Sequence, residues 1–406
     1  MSRSTFLKGA GLAGAGMTLG GWAVTARADE QGWDDEADVV VCGCGTTGAP
    51  AAIEAHDAGA DVLVIEKFDW IGGCMRRCGG GFMAAGTSVQ KKLGVDDNAD
   101  LMYDYLVAIA GEHGDPDLIR VFCDEAASTF DWIIAPIADG GLGGQPLDEW
   151  DFTTPDDQGA TILIAPGLNI GGTPVYYEDL GMPEKYRPRC HWFKPNPDDV
   201  DPGDRYYANY NRGEESRGED YGGTGLWKPF GDALESRGIR IETQTELVGL
   251  VLDDDGVVIG VKTAKGGTIR RIKAKRGVVL ASGGFNNDPD LSYNFTGKEY
   301  KAPTDLNMWT GSYIPGEADG AALKSAFAAG AAPVFPMLGN NGGVRMTTKA
   351  EVVGMDGNPI PRLYAGGRVT GGLASTSYPS CGFYIGTGIV YGRIAGQQAA
   401  ALEPWE

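Results

Sequence analysis

Asp38-Val39-Val40-Val41-Cys42-Gly43-Cys44-Gly45-Thr46-Thr47-Gly48 opens the stretch that decides the fold. An apolar strand over Asp38–Val41 runs into a glycine-rich turn, and a helix is expected over Ala49–Ala58. A second strand, Val62-Leu63-Val64-Ile65, follows and ends in Glu66-Lys67. This order of strand, glycine turn, helix and strand is what a dinucleotide-binding βαβ unit requires. Gly43 permits the tight turn, Gly45 lets the backbone approach a pyrophosphate, and Gly48 lets helix and strand pack closely. The helix N-terminus then faces the phosphates. Glu66 falls where an acid accepts from a ribose hydroxyl. A lone Gly-x-Gly-x-x-Gly is a weak signal, but here the strand, the helix and the terminal acid agree.

The rest of the composition suits a cofactor-binding globular protein. The chain has 406 residues, 42% of them hydrophobic and 22% charged, which is enough for a core and for two domains. A net charge of −21 disfavours nucleic acid and anionic membrane surfaces as partners. Sixty-four glycines suit many close approaches of backbone to a ligand. Residues 1–28 read as an export signal: Arg3 and Lys8 precede an uncharged stretch over Gly9–Thr25, and Ala26-Arg27-Ala28 is an A-x-A cleavage site. Ser2–Lys8 is similar to the twin-arginine motif, with Ser4 where the second arginine belongs. The stretch is too short and glycine-rich to span a membrane well, so no integral span is expected. Four of the seven cysteines, Cys42, Cys44, Cys74 and Cys78, lie beside the nucleotide turn. Cys74-x-x-x-Cys78 could hold metal or form a redox pair. We read these cysteines instead as small residues lining a cofactor, and expect no metal.

Periodicity divides the chain further. Residues 97–135 have helical spacing, and 136–225 is a Pro-, Gly-, Asp- and Tyr-rich stretch read as irregular. A helix is expected over Leu226–Ser236. Strands are expected over Ile239–Thr243, Leu247–Asp253, Val257–Thr263, Thr268–Lys273, Val278–Ala281 and Arg362–Ala365, and a last helix from about Gly386 to Leu402. Ser282-Gly283-Gly284 and Gly366-Gly367 each close a strand where a cofactor could approach. The nucleotide site is thus assembled from 38–81, 278–285 and 362–392. The fold expected is α/β: a discontinuous Rossmann-like FAD-binding domain of glutathione-reductase type over 34–135, 238–290 and 342–406. An α+β substrate or cap domain is inserted in it, loop-rich over 136–237 and shortened over 291–341.

These motifs, with Ile71-Gly72-Gly73, Gly79-Gly80-Gly81, Val279–Phe285, Gly342-Gly343-Val344, Leu363–Gly367, Gly386–Ile389 and Tyr391–Gly396, resemble the flavoprotein superfamily of fumarate reductase and 3-ketosteroid dehydrogenase. The resemblance implies noncovalent FAD, since the family's flavin-linking histidine is not seen. It puts Glu66 on the adenosine ribose, with Thr47, Cys74, Met75, Gly79 and Gly80 lining the cofactor. Lys67, Gly73, Gly283, Gly367 and Arg368 join the same set, although Arg368 stands where fumarate reductases carry an acid that helps hold FAD. A helix beginning at Gly388-Ile389 would aim its amides at the pyrimidine end of the flavin.

Fumarate reductases hold a dicarboxylate with arginine and histidine. Here Tyr378 stands about where that arginine belongs, and Leu338 and Gly339 where a histidine would be. Without that clamp a dianion is disfavoured. Tyr378-Pro379-Ser380-Cys381-Gly382 is instead similar to the Tyr-Pro-x-x-Gly segment of ketosteroid dehydrogenases. There the tyrosine hydroxyl and glycine amide donate to a ketone oxygen that gains enolate charge. A tyrosine serves as proton donor or base in those enzymes. Tyr207, Tyr210, Tyr221, Tyr300 and Tyr313 are candidates here, and Tyr313 is the one chosen.

The expected function is that of an exported FAD-dependent oxidoreductase acting on CH–CH groups. It would reduce the activated C=C bond of a small, apolar, ketone-bearing, steroid-like enone by hydride transfer from flavin N5. Electrons would come from a separate redox protein. Three alternatives stand beside it: the reverse, dehydrogenase reaction; reduction of an unsaturated carboxylate held by Arg345 or Arg368; and a flavin-binding or electron-transfer subunit without turnover. The last is motivated by the short Ala331–Asn341 gap, where relatives carry a long segment.

Overall fold

The apolar run at the start of the nucleotide motif is fully buried, and successive residues point into two different cores. Val39 and Val41 belong to one apolar cluster and Val40 and Cys42 to the other. The same alternation recurs in Val62/Val64 against Leu63/Ile65 and in Val279 against Val278/Leu280. A continuous apolar strand of this kind needs a parallel sheet covered on both faces. A computed structural model of the chain describes residues 26–27, 32–143, 161–165, 189–194, 222–296, 318–334, 342–373, 379 and 382–406.

The first strand spans Asp35–Cys42, longer than the motif alone suggests. Val62–Ile65 and then Arg240–Glu242 add to one side of it, and Thr268–Leu280 and then Pro359–Ala365 to the other, all parallel. The sequence reads as two strands over 268–281, whereas the structure has one strand of 13 residues. Asp35–Cys42 pairs along most of its length, and a bulge between Ala274 and Gly277 absorbs the polar Lys275-Arg276. The lower half of this long strand also pairs antiparallel with Val258–Lys265, which pairs with Glu246–Leu252. Gly266 and Gly267 make the hairpin turn with φ of +56° and +84°. Ala26–Arg27, in the segment read as a cleavage site, lies parallel to Val251–Leu252 on the sheet's outer edge.

Helix Gly48–Asp57 covers one face of the sheet, and the C-terminal helix Phe383–Ala400 packs on it. Glycines at i, i+4 and i+8 allow the close approach. A Cβ on Gly392 would lie 2.4 Å from the Thr47 carbonyl oxygen, and one on Gly396 would lie 2.2 Å from that of Ala51. The stretch expected to be helical over 97–135 is broken at Gly111, with φ of +60°. Its parts are Ala99–Ala110, capped by Asn98, and Pro116–Ile134, capped by Asp115 with proline at the first position.

Among its described residues, the region read as irregular contains two strands. Thr161–Ala165 and Cys190–Lys194 form a small antiparallel sheet with Gly81–Met83. The pairing joins segments about a hundred residues apart, so the local Pro- and Gly-rich composition hides it. Helix Gly222–Ser236 starts earlier than expected, because Gly223 docks on the 75–78 turn, its N–H donating to Cys78 O at 3.0 Å. No helix among the described residues is long and apolar enough to cross a membrane.

Candidate cofactor and active site

The parallel strands end together at Cys42, Ile65, Leu280 and Ala365. The turns that follow them line one cleft of about 340 Å³. This is the crevice at strand C-terminal ends where open α/β sheets bind ligands.

Its floor is the glycine turn. Gly43 has φ of +107°, and a Cβ there would lie 2.7 Å from Ala281 O. A Cβ on Gly48 would lie 1.8 Å from Gly43 O. Both glycines are therefore demanded by the protein's own turn. Gly45 is different, since a Cβ there would meet nothing closer than 3.8 Å. Its smallness keeps the cleft side clear for a ligand. Helix Gly48–Asp57 begins at Thr47 with no side-chain cap and no acid in its first turn. Its positive end is thus open to a phosphate. These features fit a dinucleotide.

Glu66, only 8% exposed, closes one end of the turn. Its two carboxylate oxygens accept from Cys44 N–H at 2.9 Å and Phe68 N–H at 3.0 Å. Burial raises its pKa, opposed by these amides and by Lys67. A carboxylate has more acceptor sites than these amides fill, which leaves room for a ribose hydroxyl. Lys67 lines the cleft and pairs with Asp319, with Glu246 at 3.8 Å. Gly73, Cys74 and Cys78 lie on the wall. Cys78 Sγ donates to Met75 O at 3.1 Å and accepts from Gly80 N–H at 3.3 Å. Met75 is fully buried, and Gly79 and Gly80 lead into strand Gly81–Met83; these three are absent from the described wall. Burial pushes the Cys42 and Cys44 thiols well up, which makes them unreactive. No group of three or more His, Cys, Asp or Glu among the described residues is placed to hold a metal ion.

The opposite wall comes from the two later segments. Gly283, with φ of +83°, has open space where a Cβ would point. A Cβ on Gly367 would lie 2.3 Å from Thr47 Oγ1, and one on Gly388 would lie 2.8 Å from Thr46 Cγ2. Thr46-Thr47 is thus wedged between the C-terminal helix and the Gly366-Gly367 turn. The start expected for that helix at Gly388-Ile389 is corrected: it begins at Phe383, after Gly382. Ile389 is fully buried, and Gly388 is a packing glycine more than a turn into the helix. The residues of this helix that line the cleft are Tyr384 and Ile385.

Gly382 has φ of +80°, and a Cβ there would lie 2.7 Å from backbone atoms of Phe82 and Met83. Its carbonyl accepts from Met83 N–H at 3.2 Å and Gly386 N–H at 2.8 Å. Among the described residues no side chain caps the helix, and no acid sits in its first turn. Arg368 lines the cleft with its guanidinium 5.0 Å from the Tyr384 ring centroid. Tyr378 and Tyr313 lie outside the described residues, as do Tyr207, Tyr210, Tyr221 and Tyr300.

A buried polar cluster behind Gly382 escaped the sequence reading. Arg189 holds Asp97 by two bonds of 2.8 Å, and its guanidinium lies 5.4 Å from the Tyr105 ring. The Tyr105 hydroxyl donates to Pro379 O at 2.5 Å. His191 is fully buried. Its Nδ1 faces the carbonyls of Arg189 at 3.1 Å and Phe82 at 3.3 Å, so Nδ1 carries the proton and Nε2 accepts from Thr87 Oγ1 at 2.9 Å. Only the helical spacing of Tyr105 hinted at burial; nothing local pointed to the others.

Comparison with known proteins agrees with this geometry. The chain is 27% identical to the acrylate reductase flavoprotein subunit of Shewanella woodyi over 344 residues, which is 82% of this chain and 55% of that protein. It is thus similar to about half the length of that relative. It is 24% identical to the digoxin reductase of Eggerthella lenta, across all of this chain and 98% of that protein. That alignment runs to 600 positions against 406 residues here, so the relative carries insertions that this chain does without. The fold is similar to that of 3-ketosteroid-Δ4-(5α)-dehydrogenase from Rhodococcus jostii in complex with 4-androstene-3,17-dione. The TM-score is 0.72 at 22% identity, covering 93% of this chain and 99% of the other. The profile of the FAD binding domain matches residues 38–337, which take in the glycine turn, Glu66 and Gly283. By that match, and by a cleft built for a dinucleotide, the chain belongs to the FAD binding domain family, and its cofactor is FAD.

Proposed function

We propose that the chain is an exported FAD-dependent oxidoreductase that reduces an activated C=C bond in an apolar, ketone-bearing, steroid-like substrate. The observation that carries this reading is the start of helix Phe383–Ala400. It is a helix N-terminus on the cleft wall, with no side-chain cap among the described residues, immediately after the Tyr378–Gly382 segment. Bound FAD supplies the hydride chemistry. The chain then has to stabilise enolate charge on the ketone oxygen, and hydrogen-bond donors there are worth several kcal/mol, roughly 2.7–4 by analogy with oxyanion holes. The Tyr378 hydroxyl and the Gly382 N–H are the donors, and Tyr313 supplies the α-carbon proton. His191 is locked between Thr87 and backbone carbonyls and does not serve a dicarboxylate clamp. Electrons come from a separate redox protein. The same site run in reverse is a ketosteroid-type dehydrogenase, and the direction follows the electron supply.

The similarity to an acrylate reductase subunit, with Arg368 on the cleft wall, favours an unsaturated carboxylate as the second reading. The test is anaerobic. The FAD-loaded protein is reduced, and its absorbance is followed after adding a 3-keto-Δ4 steroid, cinnamate or fumarate. Reoxidation by the steroid, slowed at least tenfold in Tyr378→Phe, is the expected result. Reoxidation by cinnamate alone supports the second reading. Reoxidation by fumarate overturns the absence of a clamp, and none by any substrate favours a binding subunit without turnover.

A further inference from the structure

We infer that Arg368 sets the charge state, and through it the reduction potential, of the flavin in this cleft. The inference rests on FAD being the cofactor and on its ring lying by the first turn of helix Phe383–Ala400.

The backbone of Arg368 is fixed. It sits in a single turn over Gly367–Val369 at the end of strand Pro359–Ala365. Thr370 closes that turn, its N–H and Oγ1 donating to Gly367 O at 3.1 and 2.8 Å. From there the side chain reaches the cleft and rests on Tyr384, the second residue of the helix. Burial pushes the Tyr384 phenol up to about 12, so the ring stays neutral. A flat guanidinium on an aromatic face is held by cation–π attraction and stacking.

The described wall carries charges of both signs. Its acids, Glu66, Glu246 and Asp319, accompany Lys67, which Asp319 engages. They stem from the ends of strand Val62–Ile65, the start of strand Glu246–Leu252 and the start of helix Ala321–Ala328. Arg368 lies beside Tyr384, at the positive end of helix Phe383–Ala400. A ring that takes up two electrons and one proton gains a negative charge, whereas two electrons and two protons leave it neutral. A fixed cation and a helix N-terminus favour the charged form and make reduction easier.

The test is the midpoint potential of the holoprotein as a function of pH, measured by dye equilibration with a chemical reductant. Four forms are compared: wild type, Arg368→Lys, Arg368→Gln and Tyr384→Leu. Arg368→Gln is expected to lower the equilibrium constant for reduction at least tenfold, about 30 mV for a two-electron couple. The pH at which the slope changes from two protons to one should rise. Arg368→Lys should stay near wild type. Tyr384→Leu keeps the cation but removes its support, so it should fall between the two. It also keeps the inference testable if Arg368→Gln loses FAD. Potentials and slopes equal to wild type in FAD-loaded Arg368→Gln or Tyr384→Leu overturn the inference. Failure of the wild type to bind FAD would instead sink the cofactor assignment. A shifted potential without steroid reduction would sink only the proposed substrate.

Discussion

The His191 imidazole is fully buried, with the Phe130 ring centroid 4.2 Å from its own. Burial outweighs its backbone acceptors and lowers its pKa from 6.5 to about 4. The folded protein therefore binds this proton more weakly than the unfolded chain does. The linked stability is complete above pH 6.5 and is lost as the pH falls through 6.5 toward 4. Its full size is about 3 kcal/mol. His191→Gln removes the titration along with the hydrogen bonds, so it should be destabilised most at neutral pH. The gap between wild type and variant in urea unfolding should narrow as the pH drops to 4. A gap that stays constant would show that the fold does not hold His191 neutral. Residue positions of this kind are only partly legible in the sequence. Glu66 is legible because it ends a strand in a recognisable order of elements. Its role in pinning the Cys44 and Phe68 amides is not, since those bonds exist only after the turn has folded. His191 and Arg189 lie in a Pro- and Gly-rich stretch whose pairing partner, Gly81–Met83, is a hundred residues away.

At the scale of elements, what was legible depended on how local the cause is. The βαβ unit follows from apolar runs and glycines within thirty residues, and it folds nearly as read. The C-terminal helix was misplaced because Gly386-Thr387-Gly388 looks like a helix start. Those glycines are instead packing sites, and the true start is set by Gly382, held against strand Gly81–Met83. The i, i+4 glycines lead to a direct prediction. A methyl on Gly392 would lie 2.4 Å from Thr47 O and 2.9 Å from Pro50 Cγ. Overpacking costs about 1–3 kcal/mol, and replacing glycine in a helix returns up to about 1. Gly392→Ala should therefore lose stability, by about 1–2 kcal/mol. It should also bind FAD several-fold more weakly, because the helix it pushes away begins at the pyrophosphate turn. Thermal unfolding and FAD titration would check both effects. Weaker unfolding stability with unchanged FAD affinity would mean that the turn does not depend on this helix contact.

Across the whole molecule, the chain enters the parallel sheet three times, over 35–65, 240–280 and 359–365, and then lays its last helix over the first. Each passage contributes a wall to one cleft: the glycine turn and Glu66, then Gly283-Gly284, then Gly367, Arg368 and Tyr384. Arg189 ties the inserted segment to Asp97, just ahead of helix Ala99–Ala110, by a buried ion pair, and Tyr105 beside them bonds to Pro379 before the last helix. A ligand in that cleft touches all three passages, so its binding energy adds to the stability of the sheet as one unit. FAD at a hundred times its dissociation constant adds about 2.7 kcal/mol. In a chain of this size that amounts to a rise of several degrees in melting temperature. The expectation is a single transition that moves as a whole when FAD is added, by far-UV circular dichroism and by tryptophan fluorescence alike. Trp33 and Trp405 report on the far end of the sheet, through Arg271 and Ala274 O, and Trp227 on the helix behind the Cys74 turn. If only the tryptophan signal moved while a second transition stayed in place, the three passages would not be one cooperative unit. The cleft would then be assembled by FAD rather than waiting for it.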